Sequence, residues 1–464
     1  MHFRSGFDVK LGVVRVAALQ VLEEGSAGGL RAFAPAGHLD EAVAVGIALP
    51  AHGVVEDPRV GDRVAVDAGA VVLPLRRFLR LRHRAVRPDH RAVPVGGWRV
   101  ASANRAETTD QSCLNRFLTE APWDVEALNE ARIDWHQEDA STRFSERGVI
   151  AIDNVLIDHY GKTIEDVGYF WDHVEERYKI AHDYLFANYV CTTGKHYPLY
   201  FRRFKKEKQC EADEEKFINH TELTIELVDQ VCERKIPGTF TWDSFFSNAR
   251  IMNHVHSKKD AQGNSRAYVG DLKMNRKVIW KGVEQKISEV AASIRIEDRK
   301  EIRRGDKRQW YFTVTLKIPT VNHKVRVVIL WDQRRDKEPR KILVTNRTNW
   351  DVQRILGVYR DRWTGTETYH RDGKQELGMG DCQLRDGQGQ TRHMYLVMMA
   401  YSLLTGQLKQ ARARDWALCK LMTIGEASRA MLRETLRQTL AWAVDQIVNR
   451  SRKHKEVLMQ LGLL

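Results

Sequence analysis

The chain of 464 residues is poor in cysteine and has no long apolar run. Its six cysteines (Cys113, Cys191, Cys210, Cys232, Cys382 and Cys419) are scattered, with no Cys-x-x-Cys pair. This argues against a zinc ribbon or a disulfide scaffold and fits a reducing compartment. No stretch approaches 18 consecutive apolar residues, so no membrane-spanning helix is expected. The first residues lack the charged, apolar and small-residue regions of a secretory signal, and a cytoplasmic protein is the expectation. Charged residues make up 29% of the chain, near the globular norm, which argues against wholesale disorder. Apolar residues reach 43%, enough for a sizeable core, and the length predicts two or three units.

Further absences are local. Residues 1–103 contain no Asn, Tyr, Thr or Cys, one lysine (Lys10) and one isoleucine (Ile47), yet hold six of the eleven prolines. From Asn104 onward these types become ordinary. The missing Asn, Lys, Tyr and Ile share A/T-rich codons, so residues 1–103 read as a GC-biased segment of foreign coding context. A fusion, a wrong start or a frame change upstream of an older gene would each produce it. The alternative is a separate Val- and Gly-rich β domain, with short strands such as Val64-Ala65-Val66 between turns. The basic run Arg76–Arg82 would then be a helix or an arm. The formal net charge of +13 makes a polyanion a candidate partner. Part of that charge belongs to this atypical segment.

After the seam, periodicity predicts helices over 112–136, with Asp124 or Pro122 opening the second. Strands are expected at 148–153, 178–191 and 197–204, the last two joined by a hairpin turn at Thr193-Gly194. A helix over 219–235 follows, then a strand 238–242 ending at Asp243, a helix 245–257 and a strand 266–270. This order of three strands, helix, strand, helix and strand is that of the ribonuclease H-like α/β fold. Strands at 310–318, 324–331 and 341–345 come next, then one long helix from about Asp351 to Leu377 and a helical region over 392–461.

Three acids stand out by their placement. Asp153 ends the apolar first strand, Asp243 ends the fourth, and Glu367 lies on the late helix. Two strand-end aspartates and a helical glutamate suit a pair of Mg²⁺ ions, which take one or two carboxylates plus phosphate oxygens. Two such ions clamp the attacking and leaving oxygens of an in-line phosphoryl displacement. Taken singly, each acid is more simply a surface residue. Asp158 rivals Asp153 as the first acid, but five residues along an extended strand turn it to the opposite face. Trp242 beside Asp243 is read as core, with stacking on an unpaired base as the alternative. His254 and His256, two apart on a helix, point different ways, which argues against a shared metal. His182 reads as a satisfied strand histidine.

Over residues 104–405 the chain resembles bacterial insertion-sequence transposases of the DDE class. The likeness begins at Thr108-Thr109-Asp110-Gln111 and continues through Ile152-Asp153-Asn154-Val155, Thr241-Trp242-Asp243-Ser244 and Gly270-Asp271-Leu272-Lys273. Its most specific part is the set Tyr359, Arg362, Glu367 and Lys374, similar to the family's Tyr/Arg/Glu/Lys signature. The interval from Arg362 to Glu367 is one residue longer than in that signature, and Asn154 stands where many relatives carry a second acid.

The resemblance implies a ribonuclease H-like catalytic core with an inserted β-rich subdomain and helical flanks. Residues 104–147 would be its helical N-terminal part, 148–280 the first part of the core and 281–346 the β-rich insertion. Residues 347–405 would hold the catalytic glutamate helix, and 406–464 a helical tail. It implies that Asp153, Asp243 and Glu367 are catalytic metal ligands for two Mg²⁺ ions, with Mn²⁺ as a substitute. Tyr359, Arg362, Lys374, Lys273 and Arg276 would contact DNA. The partners implied are transposon terminal inverted repeats and target DNA, bound by a homodimer at the bacterial nucleoid. The rival reading is an inactive remnant that keeps only non-specific DNA binding, its end recognition lost with the replaced first segment. A nuclease acting on branched or hybrid substrates would share the acids but not the Tyr/Arg/Glu/Lys set.

Overall fold

A computed structural model describes residues 111–460 except 174, 306 and 415. The segment 1–103, its suggested strands and basic run, and the start of the transposase-like motif at Thr108–Asp110 lie outside the described residues. The chain divides into two compact units. One comprises residues 140–162 and 166–370 and carries the sheet. The other takes in the helices before residue 140 and after residue 370, with residues 163–165.

The sheet unit begins with β1 (Val149–Asp158), β2 (Gly168–Asp172), β3 (Arg177–Val190) and β4 (His196–Phe204). The expected hairpin is present: Gly194 takes φ +76° and the Cys191 N–H donates to the Lys195 carbonyl at 2.8 Å. Helices α3 (Glu207–Ala212) and α4 (His220–Glu233) lead to β5 (Thr239–Trp242), α5 (Ala249–Ser257) and β6 (Tyr268–Asp271). β1 pairs antiparallel with β3 and parallel with β5, and β5 pairs parallel with β6. β4 and β2 both lie along the other side of β3. The short β2 was not anticipated from the sequence.

Next come a small hairpin, β7 (Lys277–Trp280) and β8 (Val283–Lys286), and α6 (Ile287–Ser293). β9 (Lys300–Arg304), β10 (Lys307–Leu316), β11 (Val325–Trp331) and β12 (Lys341–Thr345) follow. β12 pairs antiparallel with β6, so β12, β11, β10 and β9 continue the same sheet in that order. The result is one mixed sheet of ten strands. The strands of the expected insertion therefore extend the sheet through backbone hydrogen bonds.

Helix α7 (Val352–Gly365) lies on one face of this sheet. Asp351 caps it by accepting from the Arg354 N–H at 2.7 Å. Val352, Ile355, Leu356 and Val358 form its apolar stripe, packed on Val149, Val190, Val269, Leu330 and Leu343. The single long helix expected to reach Leu377 is broken. α7 ends at Gly365, Thr366 forms a one-residue turn that stays in the right-handed helical region at φ −106°, ψ −69°, and α8 (Glu367–Glu376) follows. The Thr366 hydroxyl and N–H both bond the Arg362 carbonyl, at 3.0 and 2.9 Å. Gly365 is needed at the break: a Cβ there would lie 2.7 Å from Val190 Cγ2 and 3.0 Å from Ala151 Cβ.

The helical unit contains α1 (Gln111–Thr119), α2 (Val125–Glu138), α9 (Gly387–Gln407), α10 (Ile424–Val448) and α11 (His454–Gln460). Asp124 caps α2, as the sequence suggested. α9 is buried along nearly its whole length and packs on α1, α2 and α10. Arg132 on α2 donates to Ser402 Oγ on α9 at 2.7 Å, which fixes the pair. The helical region expected over 392–461 is three helices, separated by the non-helical residues 408–414, 416–423 and 449–453. No helix among the described residues is long and apolar enough to cross a membrane.

Candidate functional site

The first acid is set by strand register: β1 runs on to Asp158, so Asp153 lies in the middle of the strand and not at its end as expected, because pairing with β3 continues to Ala181. Asp153 faces Phe186 across the β1–β3 pair, so the two side chains share a face. Ala151 on β1 is level with Thr241 on β5 in parallel register. Two residues on, this register brings Asp243, just past the end of β5, level with Asp153. Phe186 also packs edge-on against Tyr369, with ring centroids 5.2 Å apart. The first turn of α8 thus sits over the cross-strand neighbour of Asp153, and Glu367 opens that turn. An acid at a helix N-terminus is favoured by the peptide dipoles.

Asp153 is buried, 8% exposed. Arg362 in the last turn of α7 donates from Nη1 to Asp153 Oδ2 at 2.9 Å. Burial pushes the Asp153 carboxyl up from 3.8 to about 7; Arg362 pulls against that shift, and Asp243 and Glu367 add to it. The order of these causes is physical: a covered carboxylate loses its hydration, and one guanidinium does not offset that loss plus two like charges. Two acids distant in sequence, Asp243 and Glu367, therefore bear on Asp153. Asp243 is half-buried, and its Oδ1 accepts from the Phe245 N–H at 2.9 Å, which closes a tight turn after the strand.

The other expected residues are placed as follows. Arg362 is 8% exposed and bonded to Asp153, where a surface role on DNA was expected. The Tyr359 hydroxyl meets Lys341 Nζ at 3.0 Å and Asp271 Oδ2 at 3.4 Å. Lys273 is exposed, with its ammonium 6.0 Å from the centroid of the Phe245 ring. Arg276 is half-buried and donates to the Ser247 carbonyl, which ties the turn after β6 to the loop after Asp243. Lys374 is exposed on α8, in the part of that helix that belongs to the helical unit.

Trp242 is fully buried, stacks on Tyr268 and donates to Ser247 Oγ at 3.0 Å, so it is a core residue. The exposed ring near Asp243 is Phe245, 51% exposed. It borders a cavity of about 420 Å³ lined also by His220, Asn248 and Arg250. His254 binds Asp229 while His256 stacks on His323, so the two histidines diverge. His182 is satisfied by His159 at 2.9 Å. Asn154 donates to Asp183 at 2.9 Å and lies outside the acid set. Sequence reasoning assigned no role to Lys341 or Asp271, which close the site on the β6–β12 side. Asp271 follows a Gly270 already noted in a motif, but nothing local pairs it with Lys341.

Among the described residues, no three or more His, Cys, Asp or Glu side chains form a ready-made metal cage. An oxygen-only set of carboxylates is the donor chemistry of a hard cation that keeps its own waters and binds few carboxylates. No protein-family model matches the chain, and no curated protein matches it.

Proposed function

We propose that the protein is a DNA transposase of the DDE kind, with a ribonuclease H-like core built on β4, β3, β1, β5 and β6. The observation that carries this reading is the convergence on Asp153, in the middle of β1, of Asp243 just past the end of β5 and Glu367 at the start of α8. Strand order supports it: two antiparallel neighbours on one side of β1 and two parallel strands on the other. In this reading Asp153, Asp243 and Glu367 hold two Mg²⁺ ions. Bound there, the ions supply charge for the attacking and leaving oxygens of a phosphodiester.

The chain's own groups do the rest. Arg362 is a positioning residue that fixes the Asp153 carboxylate. Lys273, Arg276, Tyr359 and Lys374 contact backbone phosphates and set the strand's register. Water attacks phosphorus at the element's end, the P–O3′ bond breaks, and a 3′-hydroxyl is freed. That hydroxyl then attacks a target phosphodiester, which forms a new P–O3′ bond and releases the target's own 3′-oxygen. The partner is DNA, bound by a homodimer.

The test is cleavage of the inverted repeats that flank the gene, in Mg²⁺. Asp243→Ala is expected to lose roughly a hundredfold or more in rate while still binding the same DNA. An Asp243→Ala protein that cuts those ends as fast as the wild type refutes the assignment.

A further inference from the structure

Lys341 and Asp271 form a second charged centre beside the three acids. Leu343 on β12 faces Asp271 on β6, and Lys341 is two residues before Leu343. Period-two alternation therefore puts Lys341, Leu343 and Asp271 on one face, the face that α7 covers. There Lys341 Nζ donates to Asp271 Oδ2 and to the Tyr359 hydroxyl, each at 3.0 Å. The Tyr359 hydroxyl donates in turn to Asp271 Oδ2 at 3.4 Å.

Two observations tie this centre to the acid site. Asp271 is held above the usual carboxylate range by burial, against the pull of Lys341, and Asp243 is among the charges that push it up. Tyr359 lies between two cations, with Lys341 Nζ 4.7 Å and the Arg362 guanidinium 5.5 Å from its ring centroid. The order around the site is Asp153, Arg362, Tyr359, Lys341 and Asp271. Arg362 is closed off from solvent, but the Lys341 side chain is 33% exposed and Asp271 only 16%. An ammonium has three N–H donors. The geometry above uses two of them, and the head group stands at the solvent boundary.

We propose that Lys341 is a phosphate-binding residue of this site, resting on Asp271 and Tyr359 without DNA and sharing its charge with a backbone phosphate when DNA binds. Asp271 is then a positioning residue that aims the ammonium and offsets its charge until a phosphate competes. The proposal rests on the reading of the site as a DNA-cleaving centre.

The experiment is DNA binding by the full chain across a salt series, without divalent ions, on the flanking inverted repeat and on unrelated duplex. Lys341→Met is expected to weaken binding to both duplexes alike, and to reduce the slope of log affinity against log salt by about one. Lys341→Arg is expected to keep the wild-type slope. Asp271→Asn, which removes the competing carboxylate, is expected to bind several-fold more tightly at low salt. An unchanged slope in Lys341→Met overturns the proposal and leaves the cleavage reading intact, because the wild type still binds. Should Lys341→Met not fold, Asp271→Asn with wild-type affinity overturns it as well. A wild-type protein with no salt-dependent DNA binding overturns both.

Discussion

Asp153 and Asp158 sit on the same strand and have different surroundings. Asp153 lies under the end of α7, bonded to one guanidinium and crowded by two other acids. Asp158 is at the open end of β1, with its side chain 52% exposed. Its partner is Lys179 at 3.0 Å, which also meets Asp172 at 2.9 Å and Glu175. Burial alone would lower the lysine; Asp172, Glu175 and Asp158 outweigh it and hold Lys179 above its usual range. At the open end of the strand a cation is surrounded by acids, and at mid-strand an acid meets one guanidinium and two like charges. Burial is the largest cause of the shift at Asp153. Five residues apart on a strand, the two side chains point to opposite faces, and that of Asp153 lies under α7.

The comparison breaks most visibly with pH. Asp153 has a folded value of about 7 against an ordinary 3.8. The folded state therefore holds this proton more tightly than the unfolded chain does. The stability that this carboxyl contributes is full at low pH and is lost as pH rises between about 4 and about 7, by up to roughly 4 kcal/mol. Asp153→Asn removes this dependence. Melting temperatures of the two proteins are expected to diverge toward neutral pH, with the Asn variant higher. Parallel pH profiles would show that Asp153 carries no burial penalty.

A smaller effect tests the cover. Gly365→Ala forces a methyl group against Val190 and Ala151 where α7 meets the sheet. Such overpacking costs about 1–3 kcal/mol. Urea unfolding should show that loss, and adding Val190→Ala should recover part of it. The smallest effect is at the open end. Asp158→Asn is expected to change stability by about 1 kcal/mol or less, since the pair is solvated on the aspartate side. Its DNA cleavage should match the wild type; a large loss would restore Asp158 as the first acid.

Much of the sheet unit was legible in local sequence. Strands at β3, β4, β11 and β12 were expected to within a few residues, and Gly194 marked the turn between two of them. Asp243 was legible as a strand end because a short apolar run stops there. The break at Thr366 was not, since helical spacing runs on through Gly365, and that Gly365 sits too close to Val190 to carry a side chain is a tertiary fact. That break falls inside the interval that is one residue longer than in the resembling family. The joining of β12 to β6 was equally hidden, because a strand's period tells which face is buried and not which strand lies beside it.

The sequence by itself determined the residue types available: an acid on the first strand, one after the fourth, one at a helix start, and strands and helices in α/β order. Those follow from spacing and turn chemistry, which are local. The tertiary structure decided what each charge does. It put Arg362 on Asp153 and left Asp158 to Lys179. It also buried Trp242, exposed Phe245, and set Lys341 on Asp271. The reason is that a side chain's charge is set by its desolvation and its neighbours, and both come from strands and helices that meet only when the chain folds.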